Sequence, residues 1–342
     1  MTVLDRAAVT GCLDHIDPVG LVARTLLAHA HKETVLPAEG YLGWENSGGA
    51  YSRSLAMLGG ITGLASPLYG LKVVNASTSN SGLGIERAGG VMMMFDPETA
   101  RPRTLAEAAV ISALRTAAYT VLSVQHLGPV DVERVSVLGC GTLARMHLRL
   151  LASYLPSVRT VHVYDIVPER TRALVDWAAQ TLPALDVVAV DDARTCVAAA
   201  QVLVTVTVSA TPYIDASWFT EPTFVAHVSL DDVDRSVFEG SEAVFVDDVD
   251  LVVENPRRIL GSLVADGTVA LAPHPDRAFI AGTLGGVLAG RAEAVRPGAG
   301  HVISNPFGMA ILDVALLGEV IRVAGDLGLG FDLDLVGSVA CG

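Results

Sequence analysis

The sequence predicts an α/β protein, and three observations carry the prediction. Residues 134–145 have the pattern of a buried strand, a glycine turn and the start of a helix. From there, strand-like and helical segments alternate to about residue 250, as a parallel sheet requires. Ala, Val, Leu and Gly dominate a composition that is 51% apolar, which is typical of a parallel sheet covered by helices.

The elements before the glycine turn follow from hydrophobic spacing. Apolar residues recur every three or four positions over Asp17–Lys32, which predicts an amphipathic helix. Three strand-like runs come next, namely Tyr51–Leu58, Tyr69–Val74 and Gly90–Phe95. An alanine-rich helix is expected from about Thr104 to His126, because Thr104 and Glu107 have the spacing of a capping box.

The glycine turn has the sequence Gly139-Cys140-Gly141-Thr142-Leu143-Ala144. Gly139 permits a tight turn, Gly141 leaves room for a pyrophosphate, and Ala144 lets helix and strand pack closely. The next strand ends in Asp165, whose carboxylate can accept hydrogen bonds from an adenosine ribose and repels a 2′-phosphate. The combination predicts a Rossmann-type domain and favours NAD over NADP. The alternative is a structural α/β turn in which Asp165 is an ordinary strand-end acid.

The rest of the chain completes two predicted domains. Val202–Thr207 and Phe224–Leu230 are expected as central strands, and Gly128–Asp131 as a hinge. Asn305–Gly308 breaks the chain before a last apolar helix, Met309–Ala324, that is expected to return to the first domain. The predicted organisation is an NAD-binding domain over residues 128–305 and a discontinuous α/β substrate-binding domain over residues 1–127 and 306–342.

Composition and charge argue against several classes of protein. The net charge of −14 offers no basic surface for nucleic acid. No apolar run is long enough to span a bilayer, and the N-terminus lacks a signal-peptide pattern, so no membrane association and a cytoplasmic location are expected. The four cysteines have neither disulfide nor metal spacing, and Cys140 is interpreted as a small filler of the turn; the others are Cys12, Cys196 and Cys341.

Isolated cations in the first domain are candidates for substrate binding. Lys72, one of two lysines in the chain, lies within an apolar run, as do Arg53 and Arg115, and Arg87 follows a glycine-rich loop. Buried cations need counter-charges, so if these converge on one cleft the natural ligand is a carboxylate held by forked guanidinium contacts. The alternative is that each cation pairs with a local acid or extends to water.

Acidic residues at strand ends are candidates for proton transfer. Asp232 follows a predicted strand at the edge where such sheets bind ligands, so it can serve as a general acid/base beside a nicotinamide. The alternative is a solvated acidic loop. Alternation along Val246–Asp250 puts Asp248 and Asp250 on one strand face, but no further ligands accompany them, and no metal site is expected.

Taken together, these residues resemble the ornithine cyclodeaminase/mu-crystallin family from about Leu36 to Leu329, most closely its branch in 2,3-diaminopropionate biosynthesis. The segments that carry the resemblance are Arg53–Met57, Gly70–Lys72, Gly84–Ala88, Ile111–Ala118, Gly139–Ala144, His227–Val233, Val246–Asp250 and Asn305–Asp313. The chain departs from that branch near the expected substrate pocket, at Leu58, Ser77, Thr78, Asp231 and Leu251. The resemblance therefore supports the carboxylate-binding residues better than it identifies the substrate.

The resemblance implies roles for these residues. Arg53, Lys72 and Arg115 match positions that bind the substrate α-carboxylate, Lys72 also counting as catalytic, and Arg87 matches an arginine of the diaminopropionate branch. Asp232 matches the catalytic aspartate. Contacts with NAD are expected at Thr116, Gly139, Gly141, Thr142, Leu143, Ala144, Asp165, Thr207 and Ser229.

The resemblance also implies that the protein forms a homodimer through its first domain.

The implied activity is an NAD-dependent oxidation at the C–N bond of an amino acid. The leading expectation is oxidative hydrolysis of an N-(1-amino-1-carboxy-2-ethyl)-glutamate-like secondary amine to 2,3-diaminopropionate and 2-oxoglutarate. Ornithine or lysine cyclodeamination and imine reduction are alternatives; Arg87 favours an acidic substrate, although Asp231 and Glu86 add negative charge nearby. A redox-silent binding protein is a third alternative, against which the presence of Lys72, Arg115 and Asp232 argues.

Overall fold

The computed structural model describes residues 1–335, and Cys341 lies outside them. The chain divides into two compact units: Met1–Arg115 together with the chain from Met309, and Thr116–Gly308. The strands are β1 Thr2–Leu4, β2 Thr34–Val35, β3 Gly40–Glu45, β4 Tyr51–Ile61, β5 Leu68–Ser77, β6 Ala88–Phe95, β7 Pro102–Glu107, β8 Arg134–Leu138, β9 Thr160–Tyr164, β10 Asp186–Ala189, β11 Val202–Thr205, β12 Thr223–His227, β13 Ser241–Val246, β14 Ile280–Thr283, β15 His301–Ser304 and β16 Phe331–Asp332. The helices are α1 Arg6–Cys12, α2 Pro18–Ala30, α3 Ala109–Leu127, α4 Thr142–Tyr154, α5 Pro168–Thr181, α6 Ala193–Ala198, α7 Arg235–Glu239, α8 Val249–Glu254, α9 Ile259–Ala265, α10 Leu284–Leu288 and α11 Ala310–Leu327.

The first unit is built on a sheet with the order β16-β1-β7-β6-β5-β4-β2, in which β3 also pairs with β4. Its pairs are antiparallel except for β1 with β7. β4, β5 and β6 confirm the three predicted strands, and α2 confirms the amphipathic helix. Asp17 caps α2 by accepting the N–H of Gly20 at 3.0 Å.

The predicted start of the alanine-rich helix at Thr104 is wrong. Pro102–Glu107 forms β7, whose residues alternate in burial and pair with both β6 and β1. Pairing on both edges outweighs the capping-box spacing, because it buries Thr104 and satisfies its backbone in the sheet. Glu107 still caps α3, since its carboxylate oxygens accept the N–H groups of Ala109 (2.9 Å) and Val110 (3.0 Å).

The last helix returns to the first unit, as predicted. α11 lies against β4 and β5, where small residues allow helix and sheet to approach closely. A Cβ atom on Gly59 would lie 3.0 Å from the Ile311 nitrogen, and one on Gly318 would lie 2.8 Å from Leu68 Cδ1. This packing brings Asp313, in the first turn of α11, onto the sheet.

The second unit is built on an entirely parallel sheet with the order β10-β9-β8-β11-β12-β15-β13-β14. Counted from β8, its first five strands have the order 3-2-1-4-5 of the Rossmann fold, which confirms the predicted fold class. β11 and β12 are the expected central strands, and all of their residues are buried. The order reverses between β8 and β11, and ligands of such sheets bind at the carboxyl ends of the strands at this point.

The alternation expected along Val246–Asp250 is wrong. β13 ends at Val246, and Asp248 caps α8 by accepting the N–H groups of Asp250 (2.7 Å) and Leu251 (3.2 Å). A helix start, rather than a strand face, therefore explains the acidic run. Over residues 1–335, no three or more His, Cys, Asp and Glu side chains are grouped so that they could hold a metal ion. No helix in that range is long and apolar enough to cross a membrane.

Candidate functional site

Three charged side chains of the first unit meet at α11. Lys72 Nζ lies 2.5 Å from Asp313 Oδ2, and Arg115 Nε lies 3.4 Å from Asp313 Oδ1. The side chains of Lys72 and Asp313 are 3% and 1% exposed, and that of Arg115 is 14% exposed. Two cations therefore share one carboxylate, and Glu39 adds a weaker negative influence on Lys72.

The sheet register explains why Lys72 is buried. Lys72 pairs with Met57 of β4 and Met92 of β6, so it stands in the middle of the sheet, on the face that α11 covers. Burial lowers the pKa of Lys72 to about 8, and the nearby charge of Asp313 opposes this effect. A cation in this situation is stabilised by a further negative charge, which a carboxylate ligand would bring.

The other two predicted cations lie farther along the sheet. Arg53 shares the face of Lys72, and it pairs with Ala76, four residues along β5 from Lys72. This offset corresponds to about 13 Å between backbone positions. Arg87 lies just before β6, where its carbonyl oxygen accepts the N–H of Ser77 at 3.1 Å. The structure thus joins Lys72 and Arg115 at Asp313, sets Arg53 on the same face, and places Arg87 at the end of the sheet.

The glycine turn of the second unit has the geometry of a phosphate site. Gly139 adopts φ 95°, and a Cβ atom there would lie 2.8 Å from the Val206 carbonyl oxygen. A Cβ atom on Gly141 would meet nothing within 4 Å. Gly141 is the N-cap of α4, and no side chain caps this helix end. Space in front of backbone N–H groups at a helix N-terminus is what a pyrophosphate requires.

Asp165 supports this turn from the neighbouring strand. Its Oδ2 accepts the N–H of Cys140 and its Oδ1 accepts that of Val167, both at 2.9 Å. Each oxygen keeps a second lone pair that a ribose hydroxyl can use. Burial raises the pKa of the Cys140 thiol to about 12, which disfavours the nucleophilic thiolate and agrees with its interpretation as a filler.

Asp232 lies in a hydrogen-bonded network after β12 and is 0% exposed. One carboxylate oxygen accepts the hydroxyl of Thr207 and the other that of Ser229. The backbone N–H of Asp232 donates to His227 Nε2 at 3.0 Å, and its carbonyl oxygen accepts the N–H of Tyr213 at 2.8 Å. Thr207 and Ser229 are partly exposed, whereas the carboxylate that they contact is buried.

The remaining predicted cofactor residues fall into three places. Thr142, Leu143 and Ala144 form the first turn of α4, and Ala144 is fully buried against the strands. Thr207 and Ser229 lie beside Asp232, as described above. Thr116 is buried within α3.

The acids that seemed to add negative charge to the site are ion-paired. Asp231 contacts the guanidinium of Arg258 and accepts the N–H of Ile259 at 3.3 Å. Glu86 contacts Arg6. Their charges are therefore compensated by neighbouring arginines and do not argue against an acidic ligand.

Sequence reasoning missed three residues of these networks. Asp313 is one of them. Its position within the apolar run of α11 is a signal that could have identified it, because a buried acid needs a buried cation such as Lys72 in β5. His227 and Asn305 form a buried hydrogen bond of 2.7 Å across 78 positions, and nothing in their local sequence indicates it. Partners at such separations follow from the sheet order, which local patterns do not specify.

Comparison with known proteins places the chain among amino-acid oxidoreductases and related enzymes. It is 28% identical over 318 residues, 93% of either chain, to the N-((2S)-2-amino-2-carboxyethyl)-L-glutamate dehydrogenase of Staphylococcus aureus (strain NCTC 8325 / PS 47). The crystal structure of CmnK matches with a TM-score of 0.92 and 50% identity over 99% of both chains. An archaeal alanine dehydrogenase dimer with bound NAD shares the fold, with a TM-score of 0.82 and 23% identity over 98% of this chain and 99% of that one.

The family assignment rests on a match that extends over both units. The family model described as ornithine cyclodeaminase/mu-crystallin matches residues 52–324, which include β4 from its second residue, the glycine turn, Asp232 and Asp313. The protein therefore belongs to the ornithine cyclodeaminase/mu-crystallin family.

Proposed function

We propose that this protein is an NAD-dependent oxidoreductase that acts on the C–N bond of an amino acid. The observation that carries the proposal is the buried cluster of Lys72, Arg115 and Asp313, in which two cations share one carboxylate. The α-carboxylate of an amino acid is a ligand of matching charge and geometry, because an arginine and a lysine can each donate to it.

NAD is the cofactor that the second unit fits. The open space at Gly141, the uncapped start of α4 and the free lone pairs of Asp165 match the pyrophosphate and the adenosine ribose of a dinucleotide. The Asp165 carboxylate would repel the 2′-phosphate of NADP. When bound, NAD supplies a nicotinamide that accepts a hydride from the carbon of the C–N bond.

The proposed substrate is an N-(1-amino-1-carboxy-2-ethyl)-glutamate-like secondary amine. The printed name of the Staphylococcus aureus relative supports a substrate of this class, and the identity with it extends over nearly the whole chain. Such a substrate carries several carboxylates, for which Arg53 and Arg87 supply further positive charge. With one NAD and one water, the reaction yields 2,3-diaminopropionate, 2-oxoglutarate, NADH and a proton.

We assign proton transfer to Asp232. Once the C–N bond has been oxidised, water adds to the carbon of the C=N group, and Asp232 removes a proton from that water. The same carboxyl group can return the proton to the amine that leaves. Thr207 and Ser229 donate to its two oxygens, which orients the carboxylate.

The test is turnover with defined substrates. The protein is incubated with NAD and the secondary amine, NADH is followed by absorbance, and the products are identified by mass spectrometry. We expect NADH, 2,3-diaminopropionate and 2-oxoglutarate in equal amounts. Turnover of ornithine or lysine alone would assign a cyclodeaminase instead, and turnover of imines with NADH would assign a reductase. Cofactor binding without turnover of any of these would indicate a binding protein.

We also propose that the protein is a homodimer that pairs through the sheet of the first unit. The face opposite to Lys72 carries apolar side chains that are exposed in the single chain, among them Leu42 (63%), Trp44 (44%), Leu58 (44%) and Val91 (42%). Exposed apolar side chains on one face of a sheet are typical of an interface. L42D should convert a dimer to a monomer in light scattering, whereas V188D on β10 should leave the mass unchanged; equal masses for L42D and wild type would refute the proposal.

A further inference from the structure

His227 joins the end of β12 to the backbone of the proposed proton-transfer residue. Its side chain is 0% exposed, and both ring nitrogens have protein partners. Nδ1 lies 2.7 Å from Asn305 Oδ1, and Nε2 accepts the backbone N–H of Asp232 at 3.0 Å. The ring therefore bridges β12, the residue that follows β15, and the loop that carries Asp232.

The partners fix the protonation state of the ring. A backbone N–H can only donate, so Nε2 of His227 must be the unprotonated nitrogen. A neutral imidazole then carries its proton on Nδ1 and donates it to Asn305 Oδ1. The opposite orientation of the Asn305 amide would place a donor against this N–H, which excludes it. Burial also lowers the pKa of His227, so the neutral ring is favoured.

The loop that His227 holds contains a residue in the left-handed region of φ. Leu230 has φ 74° between Ser229 and Asp231, a conformation that a branched side chain adopts at a cost in energy. This turn brings Asp232 back toward the strand end. The N–H of Asp232 is held by His227, and its carbonyl oxygen is held by Tyr213 and Ile214 (2.8 and 3.0 Å). The position of its carboxylate thus depends on contacts from both sides.

We propose that His227 is a positioning residue for Asp232: its Nε2 atom holds the Asp232 backbone so that the carboxylate faces Thr207 and Ser229, and Asn305 holds the ring. This inference rests on the proposed function of Asp232. A direct role of His227 in proton transfer does not fit, because each ring nitrogen has a single hydrogen-bonding site and protein groups take both sites. Each Asp232 oxygen, by contrast, keeps a second lone pair beside the hydroxyl that it accepts.

Two substitutions separate positioning from simple packing. Gln at 227 places its side-chain oxygen near the position of Nε2 and can still accept from Asp232, whereas Asn is too short to reach it. We expect H227N to lower kcat by about tenfold, the equivalent of one lost hydrogen bond, with KM for the amino acid nearly unchanged. H227Q should recover most of the lost kcat. An unchanged kcat in H227N, or equal losses in H227N and H227Q, would overturn the inference.

Two measurements do not depend on activity. In the wild-type protein, 15N NMR of the imidazole should show Nδ1 protonated and Nε2 unprotonated; the reverse tautomer would overturn the inference without any variant. Hydrogen exchange of the Asp232 amide should be faster in H227N than in H227Q, and equal rates would count against it. D232N separates the two proposals: if D232N keeps its turnover, the assignment of Asp232 fails, whereas an inactive D232N with a fully active H227N refutes only the role of His227.

Discussion

Lys72 and Asp313 form a buried ion pair, although 241 positions separate them in the chain. Arg115 approaches the other oxygen of the same carboxylate, so one acid pairs with two cations. The sequence left open that each cation pairs with a local acid or extends to water. Lys72 and Arg115 do neither, because both contact a distant acid. Two largely buried cations that share one acid are stabilised further when a carboxylate ligand binds.

Removing the charge of Asp313 should destabilise the protein. D313N leaves Lys72 and Arg115 without their shared ion-pair partner in a buried site, and the loss of one partner from a buried pair costs about 3–5 kcal/mol. The free energy of unfolding is measured by urea denaturation. D326N is the matched control on the same helix, since Asp326 pairs with Arg322 at the surface, and its midpoint should hardly change. Equal stability of D313N and wild type would show that Asp313 does not carry the charge balance.

The affinity for a carboxylate ligand should depend on the protonation of Lys72. Burial lowers the pKa of Lys72 from 10.5 to about 8, so the amine of the free protein is charged below that pH and neutral above it. Only the charged form attracts a carboxylate. The affinity for 2-oxoglutarate should therefore fall as the pH rises through and beyond 8, with a higher midpoint in the complex, because the ligand favours the charged amine. Calorimetric titrations on both sides of this pH measure the effect.

K72R provides the control for this pH dependence. A guanidinium stays charged throughout the range, so the affinity of K72R should be weaker than that of the wild type near neutral pH but should not decline further. The ligand 2-oxoglutarate has no amino group, and its carboxylates are ionised over the whole range. A wild-type affinity that is the same on both sides of pH 8 would contradict the burial-induced shift.

The two glycines of the turn should respond differently to alanine. Gly139 needs its positive φ, and a Cβ there meets the Val206 carbonyl oxygen, so G139A should lower the stability by about 1 kcal/mol or more. A Cβ on Gly141 meets no protein atom, so G141A should fold normally but fill the space proposed for the pyrophosphate. Thermal unfolding and NAD titration separate the two effects. Normal NAD affinity in G141A would argue against a pyrophosphate at this position.

Much of the fold could be predicted from local sequence, because its signals are local. The strand, turn and helix around Gly139 and the amphipathic pattern of α2 need only neighbouring residues to be recognised. The predicted start of α3 was wrong because the capping-box spacing of Thr104 and Glu107 is a local signal. The pairing of β7 with β1, which overrides it, depends on residues about a hundred positions away. A segment with a helix-start signal therefore becomes a strand when distant strands pair with both of its edges.

The sequence indicates candidate residues for the site but not the contacts between them. Lys72 and Arg115 were identified because cations in apolar runs are unusual, yet their shared partner lies on the last helix. The hydroxyls of Thr207 and Ser229 were expected to contact the cofactor, and in the structure they donate to Asp232. Strand ends that are distant in sequence meet at one edge of a parallel sheet, so such contacts follow from strand order rather than from spacing.

Replacing Asp232 by Asn should abolish turnover while leaving the binding of NAD and of 2-oxoglutarate nearly unchanged. The amide keeps the shape of the carboxylate, and one hydroxyl of Thr207 or Ser229 can rotate to accept from it, so the network survives without a group that takes a proton. Loss of a general acid/base lowers kcat by about a hundredfold or more. D231N is the control, because it removes a neighbouring charge that is paired with Arg258 and should lower kcat far less. A kcat in D232N within tenfold of the wild type would exclude Asp232 as the proton-transfer residue, since one weakened hydrogen bond suffices for so small a loss.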